Sequence, residues 1–490
     1  MAHARALRRV ARPAFAAAIT ALLLAGCAAI PDDGPRLTAL SADKLGIAQG
    51  PDIPPATNWW AALGDAQLDR IMADALAGSP RLAAAAARVA QAQAGIAIER
   101  AALQPQLGID AEEVPQRLSE KYIIPPPYGG TGRWVGTAQA NLGWSLDLAG
   151  KQKAAIEGAR ATAQAAALDV EAARVMLTGA IAQTYVNLAR AELQKRIADE
   201  FVASREQSLG LTRTRVTSQL ASDIDLRTAE TLLADARRAA VRADGERALM
   251  VHALAALAGR GPDYYPTIAA TQVKLDAALP VPDALPADLI GRRPDILAAR
   301  ARIESADANR RVARADFYPD VNIKAFIGLQ ALGIGNLFST GAAAFGAGPA
   351  VHLPIFEGGR LKAGYQGAVA GIDVAIADYN AAVLGAVKEA ADALSSIDSI
   401  AGQAVEQRGV VTSLGETVRL NEVRLRTGLA PRVDLLASGD RLLAARQSLV
   451  DLDADGAIRR IQLLIALGGD FTPAAPQQTA SAGSAAVSNR

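Results

Sequence analysis

Few side chains in this 490-residue chain are equipped for chemistry, and they are scattered. There is one cysteine, Cys27, and there are three histidines, His3, His252 and His352. A disulfide within the chain is therefore impossible, and a Cys/His zinc site lacks ligands. Glu112, Glu113 and Glu120 could mimic an acid/base pair, but they fall at a strand end and in the loop after it. His252 and His352 lie far apart and read as helix- or strand-lining residues. No nucleotide-binding glycine loop, triad order or metal-ligand spacing occurs. We expect no catalysis, no metal and no cofactor beyond a covalent lipid. The pattern that does recur is arginine with a downstream aspartate. Arg215 is followed by Asp223 and Asp225, and Arg424 and Arg426 are followed by Asp434. Such pairs can form charge-assisted hydrogen bonds. Repeated around an axis, an Asp ring makes a throat that attracts cations.

The elements that carry these turns must be long helices. Hydrophobic residues make up 51% of the chain but aromatics only 4%. That Ala-rich composition favours closely packed helices with thin cores. Lys and Arg number 51 against 50 Asp and Glu, a net charge of +1, so nucleic acid binding has no electrostatic support. Charged residues at 21% are too many for a polytopic helical membrane protein. Beyond the N-terminus no stretch of about 18 consecutive apolar residues occurs, so a spanning helix is not expected. A membrane crossing would have to be a β-barrel.

Residues 1–26 combine Arg5, Arg8, Arg9 and Arg12 with the apolar run "AFAAAITALLLAG". This is a secretory signal peptide, too short to be a transmembrane span. Its "LAGC" ending resembles the lipobox of bacterial lipoproteins, which implies cleavage before Cys27 and lipid on its thiol. Ala28, in place of Asp, implies sorting to the outer membrane.

An internal duplication sets the architecture. "SPRLAAAAARVAQAQAGIAIERAALQPQLGI" from Ser79 aligns without gaps with "RPDILAARARIESADANRRVARADFYPDVNI" from Arg293. Pro80 pairs with Pro294 and Pro105 with Pro319, 214 residues apart. "WSLDLAGK" and "LPIFEGGR" pair Gly150 with Gly359, and "RVTSQLASDIDL" pairs with "RLRTGLAPRVDL", both at 209. Each unit reads helix, strand, strand, long helix, turn, long helix. Proline-free stretches predict helices from Lys151 to about Arg215, Asp223 to Leu257, Arg360 to about Arg426 and Val433 to Leu467. Gly428, ahead of Pro431, marks the second turn. Roughly 65 helical residues reach about 100 Å, a length suited to a coiled-coil-like assembly. Ile372, Ile376, Tyr379, Val383, Val387, Ala390, Leu394, Ile397, Ala401 and Ala404 form a seam near period 3.5.

Four segments alternate with period two: Gln106–Val114, Gly136–Leu148, Asp320–Gln330 and Phe345–Phe356. Ala138, Ala140, Leu142, Trp144 and Leu146 share a face opposite Thr137, Gln139, Asn141, Ser145 and Asp147. Val321, Ile323, Ala325, Ile327 and Leu329 do likewise against Asp320, Asn322 and Lys324. The alternation suits a sandwich core or a lipid-facing barrel. Four strands cannot close around a wet lumen, so a barrel needs several chains.

These landmarks, with "WWAALGDAQLDRIMADALAGSPRL" after the linker and "ALGGDF" near the end, resemble the outer membrane factor family, the TolC- and OprM-like exit ducts. The likeness runs from Trp59 to Phe471, and the lipobox makes it more similar to the OprM- and NodT-type efflux lipoproteins than to unlipidated ducts. It implies a mostly α fold with a membrane β-barrel: a trimer with a twelve-strand barrel and a twelve-helix periplasmic tunnel. It divides the chain into a signal peptide (1–26), a lipid-anchored linker (27–58), a first repeat (59–260), an equatorial linker (261–292), a second repeat (293–471) and a disordered tail (472–490). Helices near Asp65–Arg100 and Asp295–Ala315 would join the equatorial belt, and Trp59 and Trp60 would anchor the linker on the helical body. The resemblance implies an outer-membrane exit duct of a tripartite, RND-type efflux system, with a periplasmic adaptor and an inner-membrane pump as partners. It makes Arg215, Asp223, Asp225, Arg424, Arg426, Gly428 and Asp434 a periplasmic gate or adaptor-docking surface. Asp434 matches the first of two acidic gate positions, and the second falls on Ala437. The contrasting possibility is a lipid-anchored periplasmic scaffold or adaptor without a pore.

Overall fold

The computed structural model describes residues 31, 34–45, 57–121, 124, 126–276, 279, 281–282 and 289–473. The signal peptide, Cys27, much of the two linkers and the tail from residue 474 lie outside the described residues. The first repeat contains α1 (Ala66–Gly78), α2 (Pro80–Ala101), β1 (Gln106–Arg117), β2 (Gly132–Ser145), α3 (Lys151–Thr217) and α4 (Asp223–Leu257). The second contains α5 (Pro294–Ala315), β3 (Asp320–Leu332), β4 (Ala343–His352), α6 (Arg360–Arg426) and α7 (Arg432–Ala466). The duplication is exact in helix length. Helices α3 and α6 have 67 residues each, α4 and α7 have 35 each, and α2 and α5 have 22 each.

Several predicted boundaries move, for local reasons. The segment Asp65–Arg100 breaks into two helices at Ser79, which is extended, and Pro80 opens α2. Strand β2 stops at Ser145, short of Leu148, because Asp147 turns the chain at φ 46°. Its carboxylate then accepts from the backbone N–H groups of Gln152 and Lys153 at 2.8 and 2.9 Å, which starts α3. Strand β1 runs on to Arg117, and β4 ends at His352 rather than Phe356.

The chain divides into two compact units. One, formed by residues 88–166, 299–379 and those up to 39, holds the sheet. Its order is β1-β2-β3-β4, all antiparallel, so β2 and β3 join the two repeats. The register extends the sequence alternation across all four strands. Ile109 lies beside Ala140, then Ile327, then Phe345, while Leu107 lies beside Leu142, then Ala325, then Ala347. Gln139, Asn141, Asp110, Asn322 and Lys324 occupy the opposite face, where Asn141 donates to Asp110 at 2.7 Å. No second layer covers the apolar face: Leu107 is 72% exposed, Ile109 81% and Phe345 80%. A sandwich core is thereby excluded for this sheet. Strands β1 and β4 leave their outer edges unpaired among the described residues, and each carries a proline, Pro115 and Pro349, as edge strands tolerate. In the same unit, the N–H groups of Arg36 and Leu37 donate to Asp373 on α6 at 2.8 and 2.9 Å.

The other unit contains residues 40–87, 167–298 and those from 380 onward. Its core gathers Trp59, Trp60, Leu68, Ile71 and Met72 against Ile181, Tyr185 and Leu188 of α3, Leu254 of α4 and Ile461 of α7. Asp65 ties this core together. Its carboxylate accepts from the N–H of Gln67 at 2.9 Å, the hydroxyl of Tyr185 at 2.6 Å and the N–H of Gln272 at 2.7 Å. Burial, then Asp65, pushes the Tyr185 hydroxyl far above its usual pKa. The C-terminal "GGD" is fixed by Arg174, which donates to Asp470 at 2.8 Å.

The α6 seam is buried at Ile372, Ile376, Tyr379, Val383, Ala390 and Ala404, and half-buried at Val387, Leu394 and Ile397. Ala401 departs from the expectation and is exposed. There the contact face rotates to Ile400, which meets α7 at Gly456. The expectation that no later segment matches a spanning helix also needs amendment. Helix α6 is long and apolar enough by composition, because alanine, valine and isoleucine raise its hydropathy over a stretch with few charges. Its 67 residues far exceed the roughly 20 that a bilayer requires.

Candidate functional site

The two helix-joining turns carry most of the charges singled out from the sequence, and their backbones are copies of one another. The N–H of Leu220 donates to the carbonyl of Arg215 at 2.7 Å, and that of Leu429 to Arg424 at 2.7 Å. These are the long backbone bonds that close a helix C-terminus through one left-handed residue. That residue is Gly428 (φ 74°) in the second turn and Gln219 (φ 55°) in the first. A glutamine there costs on the order of 1 kcal/mol that glycine avoids. Each Arg side chain doubles the closure: Arg215 Nη2 donates to the carbonyl of Leu220, and Arg424 Nη2 to that of Leu429, both at 3.4 Å.

The helix starts differ, and this separates the two aspartates that share an offset. Ser222 caps α4. Its N–H and Oγ both donate to Asp225 Oδ2 at 2.8 Å, and the N–H of Asp225 donates back to Ser222 Oγ at 3.3 Å. The bonds from Ser222, aided by Arg215, hold the Asp225 carboxyl below its ordinary range. In the second turn Pro431 replaces the serine and offers no side-chain cap. Asp434 is left exposed, with no side-chain bond among the described residues. Asp223 and Arg426 are exposed in the same way. None of the turn arginines singled out from the sequence forms an ion pair with an aspartate of its own turn among the described residues, so the same-hairpin brace for Asp434 is not made: Arg424 turns to its own backbone instead.

Above the turns, α7 carries an acidic face that the sequence reading did not single out. Asp440 pairs with Arg205 at 2.9 Å and accepts from Ser204, Asp451 accepts from Gln194 at 2.5 Å, and Asp455 accepts from Arg190 at 3.0 Å. All four bonds run to α3, so they join the second repeat to the first. Asp453 pairs with Arg408 of α6 at 2.7 Å. Burial pushes the Asp440, Asp451 and Asp453 carboxyls up, against the pull of their cationic neighbours. The spacing 440, 451, 455 places those three on one helical face, a signal that the sequence does contain.

The remaining candidates do not converge. Glu112 and Glu113 point to opposite faces of β1, and Glu120 lies in the loop, 3.8 Å from Arg117. His252 stacks on Tyr265 at 4.4 Å, and His352 stands opposite Asp320 at the end of β4. Among the described residues no group of three or more His, Cys, Asp or Glu could hold a metal.

Comparisons with known proteins agree with this geometry. The model of the family described as "Outer membrane efflux protein" matches residues 71–260 and 285–469. The chain is 35% identical to the fusaric acid resistance protein FusA of Burkholderia cepacia over 370 residues, covering 73% of this chain and 69% of that protein. It is 29% identical to the multidrug resistance outer membrane protein MdtP of Shigella flexneri, over 92% and 95% of the two chains. The crystal structure of the outer membrane protein VceC from Vibrio cholerae is similar at a TM-score of 0.75 and 32% identity, covering 85% of this chain and all of that one.

Proposed function

The chain belongs to the outer membrane efflux protein family, and from that premise we propose that three copies close one outer-membrane barrel and form the passive exit duct of a pump–adaptor system. The observation that carries this is the sheet: four strands with two free edges and an uncovered apolar face. Three such sheets give twelve strands, within the range of outer-membrane barrels, whereas four cannot close. The polar face then lines water and the apolar face meets lipid. Exposed Val374 and Val405 on α6 and Val241 on α4 have no cover within one chain, and neighbouring copies would supply it. A scaffold without a pore leaves the apolar sheet face without a purpose. In mild detergent, mass measurement or cross-linking is expected to give three chains. A monomer with full β-content would sink this reading.

The duct has no nucleotide motif and performs no catalysis, so an inner-membrane pump, coupled through a periplasmic adaptor, supplies energy. Relatives named for fusaric acid and multidrug resistance favour small organic solutes as cargo. The paired turns form the periplasmic gate or the adaptor dock. The free carboxylate of Asp434 is available to an arginine of a neighbouring chain or to the adaptor.

Cys27 carries the lipid in this proposal. From Cys27 to the pinned Arg36 is nine residues, a reach of about 30 Å at most. Asp373 lies thirteen residues into α6, roughly 20 Å along the helix from its membrane-side start. A lipid on Cys27 can therefore reach the leaflet that the barrel enters. Cys27→Ser is expected to abolish labelling by a radioactive fatty acid while trimers still assemble. Equal label in the variant would end the lipid assignment.

A further inference from the structure

Two cavities flank the joint where β2 passes into α3 and α5 passes into β3, within the sheet-bearing unit. One, of about 400 Å3, is lined by Ser145, Asp147, Asn322 and His352, which continue the polar face of the sheet. The other, of about 470 Å3, contains none of these four and shares Leu148 and Tyr318 with the first. Its lining includes Leu148, Lys153, Glu157, Arg311, Arg314 and Tyr318. Three of these are cationic and one is anionic, so the cavity carries 3 − 1 = 2 positive charges. Arg311 is satisfied by Glu157 and by Asp307. Lys153 and Arg314 are exposed and have no ion pair among the described residues. Beside these cations, Leu148 is 72% exposed and Tyr318 45% exposed. In water that combination strands two hydrophobic side chains. At a membrane surface it is the expected mixture of an aromatic anchor, an apolar contact and phosphate-binding cations.

The depth agrees independently. The apolar face of the sheet runs past Trp144 and Ile323, opposite each other in the register, to the pair Val321 and Val351 near its end, and Leu148 follows Trp144 four residues later. The cavity therefore lies where the acyl region ends and the periplasmic headgroups begin. The duplicated positions show that the feature is not a by-product of the repeat. At offsets of 209 and 214, Leu148 corresponds to Glu357 and Tyr318 to Gln104, while Lys153 and Arg314 correspond to Lys362 and Arg100. The cations recur in the other repeat, but the apolar rim does not.

We propose that this cavity binds the phosphate of an anionic phospholipid of the periplasmic leaflet, held by Lys153 and Arg314, with an acyl chain lying along Leu148 toward the apolar strand face. The inference rests on the outer-membrane placement and is independent of the gate. The shared chemistry is a phosphate anion, and free phosphate is the competing source. The full chain, purified in mild detergent, is titrated with phosphatidylglycerol, phosphatidylcholine or inorganic phosphate and followed by native mass spectrometry. Phosphatidylglycerol is expected to give up to one retained adduct per chain, under activation that strips phosphatidylcholine. Lys153→Gln and Arg314→Gln are each expected to weaken retention roughly tenfold, as loss of one charge-assisted contact does. Displacement by millimolar inorganic phosphate would assign the site to soluble phosphate and overturn the lipid. Equal retention of the two lipids, or unaltered retention in both variants, would overturn the site. Channel conductance in planar bilayers, measured on the same variants, is expected to stay at the wild-type value. Loss of conductance in wild type and variants alike would instead implicate the duct reading.

Discussion

Replacing Asp65 with Ala is expected to lower the melting temperature of the detergent-purified protein by about 5–15 °C. The carboxylate is 7% exposed and accepts three hydrogen bonds, from Gln67, Tyr185 and Gln272. Removing it takes away a helix cap and leaves a buried hydroxyl and a backbone N–H short of an acceptor. Together these cost about 3–5 kcal/mol, which corresponds to a shift of that size for a domain of a few hundred residues. Differential scanning fluorimetry would measure it. A change of under about 2 °C would show that the network closes over the gap. The pH dependence has a defined sign. Tyr185 keeps its proton well above the usual tyrosine pKa in the folded chain, through burial and then Asp65. Its contribution is complete below about pH 10 and is lost as pH rises toward the folded value. The Ala variant has less of this contribution to lose, so the gap between the two proteins is expected to narrow above pH 10.

Asp434→Ala is expected to raise single-channel conductance in planar bilayers roughly twofold or more and to reduce cation preference, because three negative charges leave the proposed constriction. Asp225→Ala is the internal control. Asp225 occupies the same offset in the first turn, but its carboxylate is engaged by Ser222. Its loss should destabilise the start of α4 by about 1 kcal/mol and change conductance less than Asp434→Ala does, because the Ser222 bonds hold its charge against its own helix start. Efflux with adaptor and pump present is expected to change little, since the partners open the gate. Wild-type conductance and selectivity in Asp434→Ala would place the residue off the constriction and favour adaptor docking by this turn.

Much of this architecture is legible in the sequence because its rules are local. Proline-free stretches bounded by Gly and Pro place the ends of the long helices within two residues, and Ala140 and Leu142 alternate as their neighbours in the register require. What stays hidden depends on partners far away in the chain. Asp65 and Tyr185 are 120 residues apart, and no periodicity links them. The α7 aspartates look like an ordinary solvated face until Arg205, Gln194 and Arg190 are set against them. The contrast between Asp225 and Asp434 was readable, but only at the cap three residues earlier, in Ser222 against Pro431. Gln219 could be assigned its left-handed turn only by counting 209 residues back from Gly428.

The two copies keep their helix lengths to the residue, yet their spacing falls from 214 before the hairpin tip to 209 after it. The five surplus residues therefore lie between Pro105 and Gly150, in the β1–β2 hairpin: its tip, residues 118–131, is longer than the matching 333–342, and β2 is longer than β4. One residue added to a helix would turn everything beyond it by about 100° and unseat each later contact. One added at the hairpin tip moves nothing else. Since the duplication, the net change in length has gathered in the strand hairpin, whose tip faces the outside of the cell under the proposed barrel reading. That makes residues 118–131 the place to graft an epitope or affinity tag for labelling intact bacteria, while insertions of any size in α3, α4, α6 or α7 should abolish assembly.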